Sequence, residues 1–214
     1  MARLMYAFPQ SLAFAILTIT FLACSNNDAG NKPNYGAPLE YGGQTYKTVK
    51  IGEQTWIAEN LNYETEGSVC YKNNPANCTK YGCLYNWETA LKVCPKGWHL
   101  PNNEEWDKLS RFVDGNKGTE SPYESETAGK YLKAKSGWNE DGNGTDKYGF
   151  SALPGGYGYS DGNFYSVGIN GGWWSANEGN SDYAYYRVMF YYGDYASWIG
   201  GNKSYLFSVR CLQD

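Results

Sequence analysis

Several residue types are scarce in this 214-residue chain, and each scarcity excludes a class of function. A single histidine, His99, excludes sites that need two imidazoles, such as the HExxH zinc site. Basic residues do not dominate, because 18 Lys and Arg face 22 Asp and Glu. The resulting net charge of -4 argues against nucleic acid as a partner. No two cysteines have CxxC spacing, which argues against zinc clusters and thioredoxin-like redox sites.

Aromatic residues and glycine are abundant instead. The chain carries 21 Tyr, 8 Trp, 8 Phe and 26 Gly. Disordered chains are poor in aromatic residues, so this composition indicates a folded protein. The length suits one domain after removal of a leader.

The first 23 residues are expected to be a signal peptide. Arg3 is the only charge in this segment, and residues 12–23 are apolar except for Thr18 and Thr20. This run falls short of the ~20 residues that a membrane-spanning helix needs. Residues 24–40 are rich in Asn, Pro and Gly and are expected to be a flexible tether, with the folded domain at 41–214.

The step from Ala23 to Cys24 directly after the apolar run resembles a bacterial lipoprotein signal. The resemblance implies that Cys24 is lipidated and heads the mature chain, which makes the membrane a partner through the acyl chains. Phe21 departs from the usual leucine of that signal. In such signals, an aspartate directly after the lipidated cysteine favours retention in the inner membrane. This chain has Ser25 at that position, which implies the outer membrane, on its periplasmic face or at the cell surface. An ordinary secretory signal with an incidental Cys24 is the alternative.

The patterns in the domain predict an α+β fold, with short helices followed by a twisted antiparallel sheet. Capping residues and apolar spacing predict helices over 87–93 and after Pro101, and a third helix is predicted over 126–134. Alternation of polar and apolar residues predicts an early hairpin of two strands over 44–51 and 54–58. Later strands are predicted over 149–153, 163–168, 172–176, 183–191, 195–199 and 205–211.

Five cysteines remain after Cys24, enough for two disulfides in an exported protein. Cys70–Cys78 would close a polar loop, and Cys94–Cys211 would tie the first predicted helix to the last strand. Cys83 would then be free and buried. Cys78–Cys83 is the alternative local pair.

Six ordered motifs resemble the Fibrobacter succinogenes major paralogous domain, found mainly in surface or secreted bacterial proteins. They are VKIGEQTWIAENL (49–61), YGCLYNW (81–87), CPKGWHLP (94–101), GFSALPGG (149–156), WWS (173–175) and SVRC (208–211). More distantly, the helix with Cys94, the turn at His99 and the terminal Cys211 resemble the C-type lectin-like fold. That resemblance implies a disulfide between the first helix and the last strand.

Formylglycine-generating enzymes share this lectin-like core, and their LPTEAEWE run is similar to LPNNEEW at 100–106. Their chemistry requires a reactive cysteine pair near the C-terminus, where this chain has Cys211 alone. His99 has no nucleophile or acid placed beside it by sequence spacing and is expected to be a buried structural residue. The sequence therefore predicts no enzyme activity and no catalytic residue.

Two features are candidate ligand sites. The loop 139–146 collects oxygen donors, so Asp141, Asn143 and Asp146 are candidate Ca²⁺ ligands, although the loop lacks the EF-hand glycine and the lectin sugar-binding triplets. The aromatic C-terminal part predicts a binding face, because exposed tyrosines offer contact area with a polar tip. Its candidate residues are Tyr157, Tyr159, Tyr185, Tyr186, Tyr191, Tyr192 and Tyr195.

These features favour a non-catalytic binding or adhesion module of the cell envelope, with glycans as candidate ligands. Ca²⁺ is the only cofactor for which the sequence offers candidates. A structural envelope protein that binds other surface proteins is the alternative. A Cys-dependent oxidase of the formylglycine-generating type is the least favoured hypothesis.

Overall fold

A computed structural model describes residues 32–115 and 124–214. The signal peptide at 1–23 and the lipidation site Cys24 lie outside these residues and stay predictions. Within the described ranges, no helix has both the length and the apolar character needed to cross a bilayer.

Short strands dominate the described chain, and all pairings between them are antiparallel. They are β1 Asn34–Tyr35, β2 Leu39–Tyr41, β3 Gln44–Tyr46, β4 Thr48–Ile51, β5 Gln54–Ile57, β6 Ser68–Val69, β7 Leu84–Tyr85, β8 Trp98–His99, β9 Glu124–Ser125, β10 Tyr157–Gly158, β11 Phe164–Tyr165, β12 Asn170–Glu178, β13 Tyr183–Phe190, β14 Ala196–Asn202 and β15 Leu212–Gln213. One sheet has five strands in the order β1-β4-β5-β15-β8. Another has four in the order β12-β13-β14-β9, and β2-β3, β6-β7 and β10-β11 form separate pairs.

The described residues between β6 and β10 include four short α-helices. They are α1 Pro75–Tyr81, α2 Trp87–Ala90, α3 Asn103–Val113 and α4 Ala128–Leu132. At the start of α3, the side chain of Asn102 accepts a hydrogen bond from the Glu105 backbone N–H, and the Glu105 carboxylate accepts one from the Asn102 backbone N–H, which forms a capping box. The three predicted helices are present, with α2 and α4 shorter than predicted, whereas α1 was not predicted.

Strand β12 lies between the two hydrophobic clusters of the domain. Adjacent residues of a strand point to opposite faces, so Trp173 and Trp174 enter different clusters. Both side chains are fully buried. Trp173 joins Trp56 and Phe150 in one cluster, and Trp174 joins residues around Cys211 in the other.

The folded domain begins earlier than the predicted boundary at residue 41. β1 pairs with β4, with Asn34 opposite Lys50, and β2 pairs with β3. Part of the predicted tether 24–40 is therefore held in the domain by backbone hydrogen bonds, because its extended residues can extend an open sheet edge.

Two predicted strands are absent. Residues 149–153 form a loop in which Ser151 has φ +54, and only Ala152 makes an isolated bridge. Residues 205–211 alternate like a strand, but Leu206, Phe207 and Ser208 each bridge a different part of the chain, so no continuous ladder forms. The described chain is an α+β domain with few helices and mainly antiparallel sheets.

Candidate functional site

A surface cavity of about 620 Å³ lies where several turns of the domain meet. Its walls come from the β6 region, the start of α2, the β10–β11 hairpin, the turn between β12 and β13, and the chain after β14. Its lining includes Ser68, Asn86, Glu88, Tyr159, Phe164, Asp182, Asn202 and Ser204. The cavity combines aromatic rings with amide, hydroxyl and carboxylate groups.

The β10–β11 hairpin supplies the aromatic wall. Its turn is closed by Asp161, whose carboxylate accepts hydrogen bonds from the backbone and side chain of Asn163 at 2.9 and 2.8 Å. Gly162 has φ +86, a conformation that favours glycine. This turn places Tyr159 and Phe164 in the cavity wall.

Neighbouring rings support the Tyr159 side chain. The ring centroid of Tyr159 lies 4.5 Å from that of Tyr205, 5.1 Å from Tyr165 and 5.5 Å from Tyr157. Burial, together with the hydrogen bond shared with Tyr159, raises the pKa of Tyr157 to about 12. The Tyr157 hydroxyl is therefore neutral at physiological pH, and it can donate or accept a hydrogen bond.

The opposite wall is polar and built from short turns. Asn202 accepts hydrogen bonds from the backbone and hydroxyl of Ser204 at 3.0 and 2.7 Å. Asn180 accepts from the backbones of Asp182 and Tyr183, which fixes the turn that carries the exposed Asp182. These side chains form Asx turns, which hold polar groups at the surface without a helix or a strand.

Lys203 stabilises this wall through contacts with neighbouring residues of the domain. Its ammonium group pairs with Glu178, donates to the backbone oxygen of Ser181 at 3.0 Å and lies 4.8 Å from the ring of Trp87. Lys203 is thus engaged within the protein, whereas the carboxylates of Asp182 and Glu88 are exposed. The cavity therefore has a local excess of negative charge.

The seven candidate tyrosines lie in three groups. Tyr157, Tyr159 and Tyr186 belong to the ring cluster beside the cavity, where Tyr186 stacks on Phe207 at 4.0 Å. Tyr185 is on the other face of β13 and packs edge-to-face against Trp198. The third group is Tyr191, Tyr192 and Tyr195 at the end of β13, where Tyr192 and Tyr195 contact Phe190 and Tyr191 contacts Tyr192.

The oxygen donors of the loop 139–146 are partly used within the protein. Asp146 accepts hydrogen bonds from the backbone and hydroxyl of Ser151, both at 2.7 Å. Asn143 accepts from the backbone of Trp138 at 3.1 Å, and Asp141 is exposed with φ +59. Ca²⁺ binding by Asp141, Asn143 and Asp146 stays a prediction.

His99 lies between two carboxylates and is only half-buried, so the expectation of a buried histidine is corrected. Its Nδ1 is 2.7 Å from Asp214 and its Nε2 is 2.9 Å from Glu105. Desolvation lowers the pKa of His99, but the hydrogen bonds to Asp214 and Glu105 outweigh it and raise the pKa above the usual value. His99 lies on β8, the edge strand of the five-stranded sheet, where its imidazole is half-buried.

The cysteines form the two pairs that the sequence favoured. Cys70 is bonded to Cys78, and Cys94 to Cys211 with a sequence separation of 117. Cys83 is free and buried. Since Cys211 is bonded, it does not offer the reactive thiol that formylglycine chemistry needs.

Tyr159, a candidate binding residue in the sequence, lines the cavity, whereas the polar half of the cavity was not predicted. Asn86, Asp182 and Asn202 are far apart in the chain and meet only in the folded domain. Their signal in the sequence is the turn composition of 180–182 and 202–204, which predicts turns but not their convergence.

The fold and disulfides define a disulfide-bonded α+β domain built mainly from antiparallel strands. The chain belongs to the Fibrobacter succinogenes major domain family, whose model matches residues 49–213. No curated protein and no solved structure matches the chain.

Proposed function

We propose that this protein is a lipid-anchored, non-catalytic module of the bacterial cell envelope that binds a glycan in the cavity beside Tyr159. The observation that carries the proposal is the pairing of an aromatic wall with a polar wall across about 620 Å³. This volume falls within the range of small-molecule sites, roughly 300–1,000 Å³.

The two walls match the two kinds of surface on a sugar. A pyranose ring offers an apolar face of C–H groups, which can pack on the half-buried ring of Tyr159. Its hydroxyl groups donate and accept hydrogen bonds, which suits the Asp182 carboxylate and the Asn202 amide. The negative charge of the cavity favours neutral over acidic glycans.

Glycan-array binding by the mature chain tests the proposal, followed by affinity measurements on any ligand found. Tyr159→Ala should weaken binding at least tenfold, and Asp182→Ala should weaken it without disturbing the aromatic cluster. Tyr192→Ala is the matched control, because Tyr192 is 63% exposed and lies in the third tyrosine group. Absence of glycan binding by folded protein, or equal loss in all three variants, contradicts the proposal.

The lipid anchor is proposed on the Ala23-Cys24 junction. Two disulfides support export, because such bonds persist in oxidising compartments. The wild-type protein should partition into the detergent phase and fractionate with the outer membrane, whereas Cys24→Ser should partition into the aqueous phase. Identical partitioning of the two proteins would rule out the anchor.

We also infer kinship with the C-type lectin-like fold from the Cys94–Cys211 disulfide. Cys94 follows α2 by a few residues, and Cys211 directly precedes β15, the last strand described. This linkage supports the resemblance found in the sequence. Superposition of an experimental structure on lectin-like domains tests it, and a different order of strands around the disulfide would contradict it.

A structural envelope protein that binds another surface protein is the second candidate function. It is supported by the exposed ring of Tyr192, which stacks on Phe190 at 5.2 Å. Crosslinking from Tyr192 in whole cells should capture a specific envelope protein under this alternative. Under the glycan proposal, crosslinks should instead depend on Tyr159.

A further inference from the structure

Three sulfur atoms lie together beneath the surface near α1. Cys70 and Cys78 form a disulfide, and the free Sγ of Cys83 is 3.2 Å from the Sγ of Cys78. All three sulfurs lie within 4.8 Å of one another. Cys83 thus contacts the sulfur atom that it would have to attack in a thiol–disulfide exchange.

The turn after α1 fixes this contact. Gly82 has φ +77, and a Cβ added there would lie 2.7 Å from Cβ of Asn60, so only glycine fits. The backbone N–H of Cys83 then donates to the oxygen of Leu61 at 3.0 Å. These constraints hold Cys83 against Cys78, which lies in α1 itself.

Two of the three cysteines line a surface recess of about 540 Å³. Cys70 and Cys83 both line this recess, together with Glu64, Thr65, Ser68, Val69, Asn73 and Pro75. Cys70 is half-buried, whereas Cys78 and Cys83 are 3% and 0% exposed. A thiol on Cys70 would therefore be the most accessible of the three to a small reagent.

We propose that Cys83, Cys78 and Cys70 form a thiol–disulfide exchange site that transfers a reactive thiol from the core to the recess. The Cys83 thiolate attacks Sγ of Cys78, a Cys78–Cys83 bond forms, and the Cys70–Cys78 bond breaks. Cys70 leaves as the thiolate and takes up the proton that Cys83 released, so no external oxidant or reductant is consumed. The half-buried Cys70 sulfur, as its thiolate, can then attack a small disulfide RS–SR in the recess, which forms a Cys70–SR mixed disulfide and releases RS⁻, which takes up a proton to give RSH.

The surroundings of Cys83 keep the exchange slow at neutral pH. Its thiol donates a hydrogen bond to the side-chain oxygen of Asn62 at 3.3 Å. Burial raises the pKa of the Cys83 thiol to about 11, the hydrogen bond with Tyr85 opposes the rise, and Glu64 adds to it. Tyr46 also faces this thiol. The resting form is thus the Cys70–Cys78 disulfide, and the exchange depends on a rare thiolate.

Native-state alkylation of the mature protein tests the proposal. The folded chain is incubated with iodoacetamide, quenched in acid and digested without reduction, and the modified cysteine and disulfide pairs are identified by mass spectrometry. Label should accumulate on Cys70 together with a Cys78–Cys83 bond, about tenfold faster at pH 8 than at pH 7 because the thiolate fraction rises tenfold. Label on Cys83 with an intact Cys70–Cys78 bond would overturn the proposal, as would protein that stays unlabelled.

Two variants separate exchange from partial unfolding. Cys83→Ser should keep the Cys70–Cys78 bond and show no label on Cys70. Cys70→Ser should form the Cys78–Cys83 bond in a glutathione buffer, leaving no free thiol among these residues. Persistent labelling of Cys70 in Cys83→Ser, or two free thiols in oxidised Cys70→Ser, would also overturn the proposal. The Cys94–Cys211 bond serves as the internal control and should stay intact throughout.

The recess shares Ser68 with the proposed glycan cavity, but the two proposals are tested by separate experiments. A protein that exchanges disulfides but binds no glycan would leave this inference standing and refute the proposed function. A protein that binds glycan but does not exchange disulfides would refute this inference and leave the proposed function standing.

Discussion

The guanidinium of Arg210 is held by the side-chain amide of Asn60, with Nε of Arg210 2.8 Å from Oδ1 of Asn60. Both residues are buried, and Arg210 is 0% exposed. The indole N–H of Trp173 donates to the same Asn60 oxygen at 2.8 Å, and the Asn60 amide N–H donates to the backbone oxygen of Tyr81 at 2.7 Å. Asn60 thus joins three distant parts of the chain.

Asn60→Ala should lower the free energy of unfolding by about 3 kcal/mol or more. The change leaves the Trp173 indole and one guanidinium N–H of Arg210 without an acceptor, and a buried unsatisfied donor costs about 1–3 kcal/mol, more for a charged group. Urea unfolding measures the effect. The control Asn163→Ala removes an exposed asparagine that bonds only within its own turn and should cost far less. Equal losses in the two variants would contradict the role of Asn60.

His99 should make stability depend on pH. Its folded-state pKa is raised above the unfolded value, so its stabilisation is fully present below the unfolded pKa and is lost as pH rises through the folded pKa. The effect should be about 1 kcal/mol or less, because the imidazole is 38% exposed and solvent screens the pair.

The measurement compares unfolding of wild type and His99→Gln at pH 5.5 and pH 8.5. Wild type should be the more stable protein at pH 5.5, and the difference should shrink at pH 8.5. A difference that grows with pH would show that Glu105 and Asp214 do not act through the charged imidazole.

The Cys94–Cys211 disulfide should contribute more stability than Cys70–Cys78. The chain-entropy model gives about 4.9 kcal/mol for a separation of 117 residues and about 2.5 kcal/mol for a separation of 8. Alanine pairs at each disulfide, compared by thermal unfolding, check the ranking. A larger loss from the shorter loop would mean that local packing, and not loop closure, sets the contribution.

Lys133→Met should destabilise the turn after β13 by about 1–2 kcal/mol. Lys133 is 1% exposed, and its ammonium group donates to the backbone oxygens of Phe190 and Gly193 at 3.2 and 2.8 Å. Methionine fills the space but leaves these oxygens unsatisfied, a cost that relief of charge burial only partly offsets.

Hydrogen exchange reports this effect locally, and amides near Gly193 should exchange faster in Lys133→Met. Lys130→Met, a change at an exposed lysine of α4 three residues before Lys133, is the matched control. Unchanged protection near Gly193 would show that the two hydrogen bonds do not hold the turn.

Local signals predicted the helices that have capping residues and an apolar face. α3 follows from Asn102, Glu105 and the spacing of its buried residues. α1 was not predicted because its sequence, PANCTKY, has no apolar residues at helical spacing. The helix is stabilised instead by the Asn74 cap, by Pro75 in its first turn and by the Cys70–Cys78 disulfide. None of these is visible as amphipathic spacing.

The candidate cavity was less predictable than the strands around it. Long alternating segments such as β13 and β14 were recognised to within a few residues, because period-2 patterning is local. The cavity depends on where separate turns converge, which is set by the packing of whole sheets. The contact between Cys83 and Cys78 likewise depends on the tight turn at Gly82. The spacing of the cysteines alone left both Cys70 and Cys83 as possible partners of Cys78.

The long-range disulfide also determines how the domain would respond to mechanical load. A force applied between the two ends of the described chain can extend only residues that the Cys94–Cys211 crosslink does not enclose. At roughly 3.5 Å per extended residue, the enclosed separation of 117 residues withholds about 400 Å of contour length from stretching. Tyr159, Asp182 and Asn202 all lie inside that stretch, so unravelling from the chain ends should stop before it reaches these cavity residues.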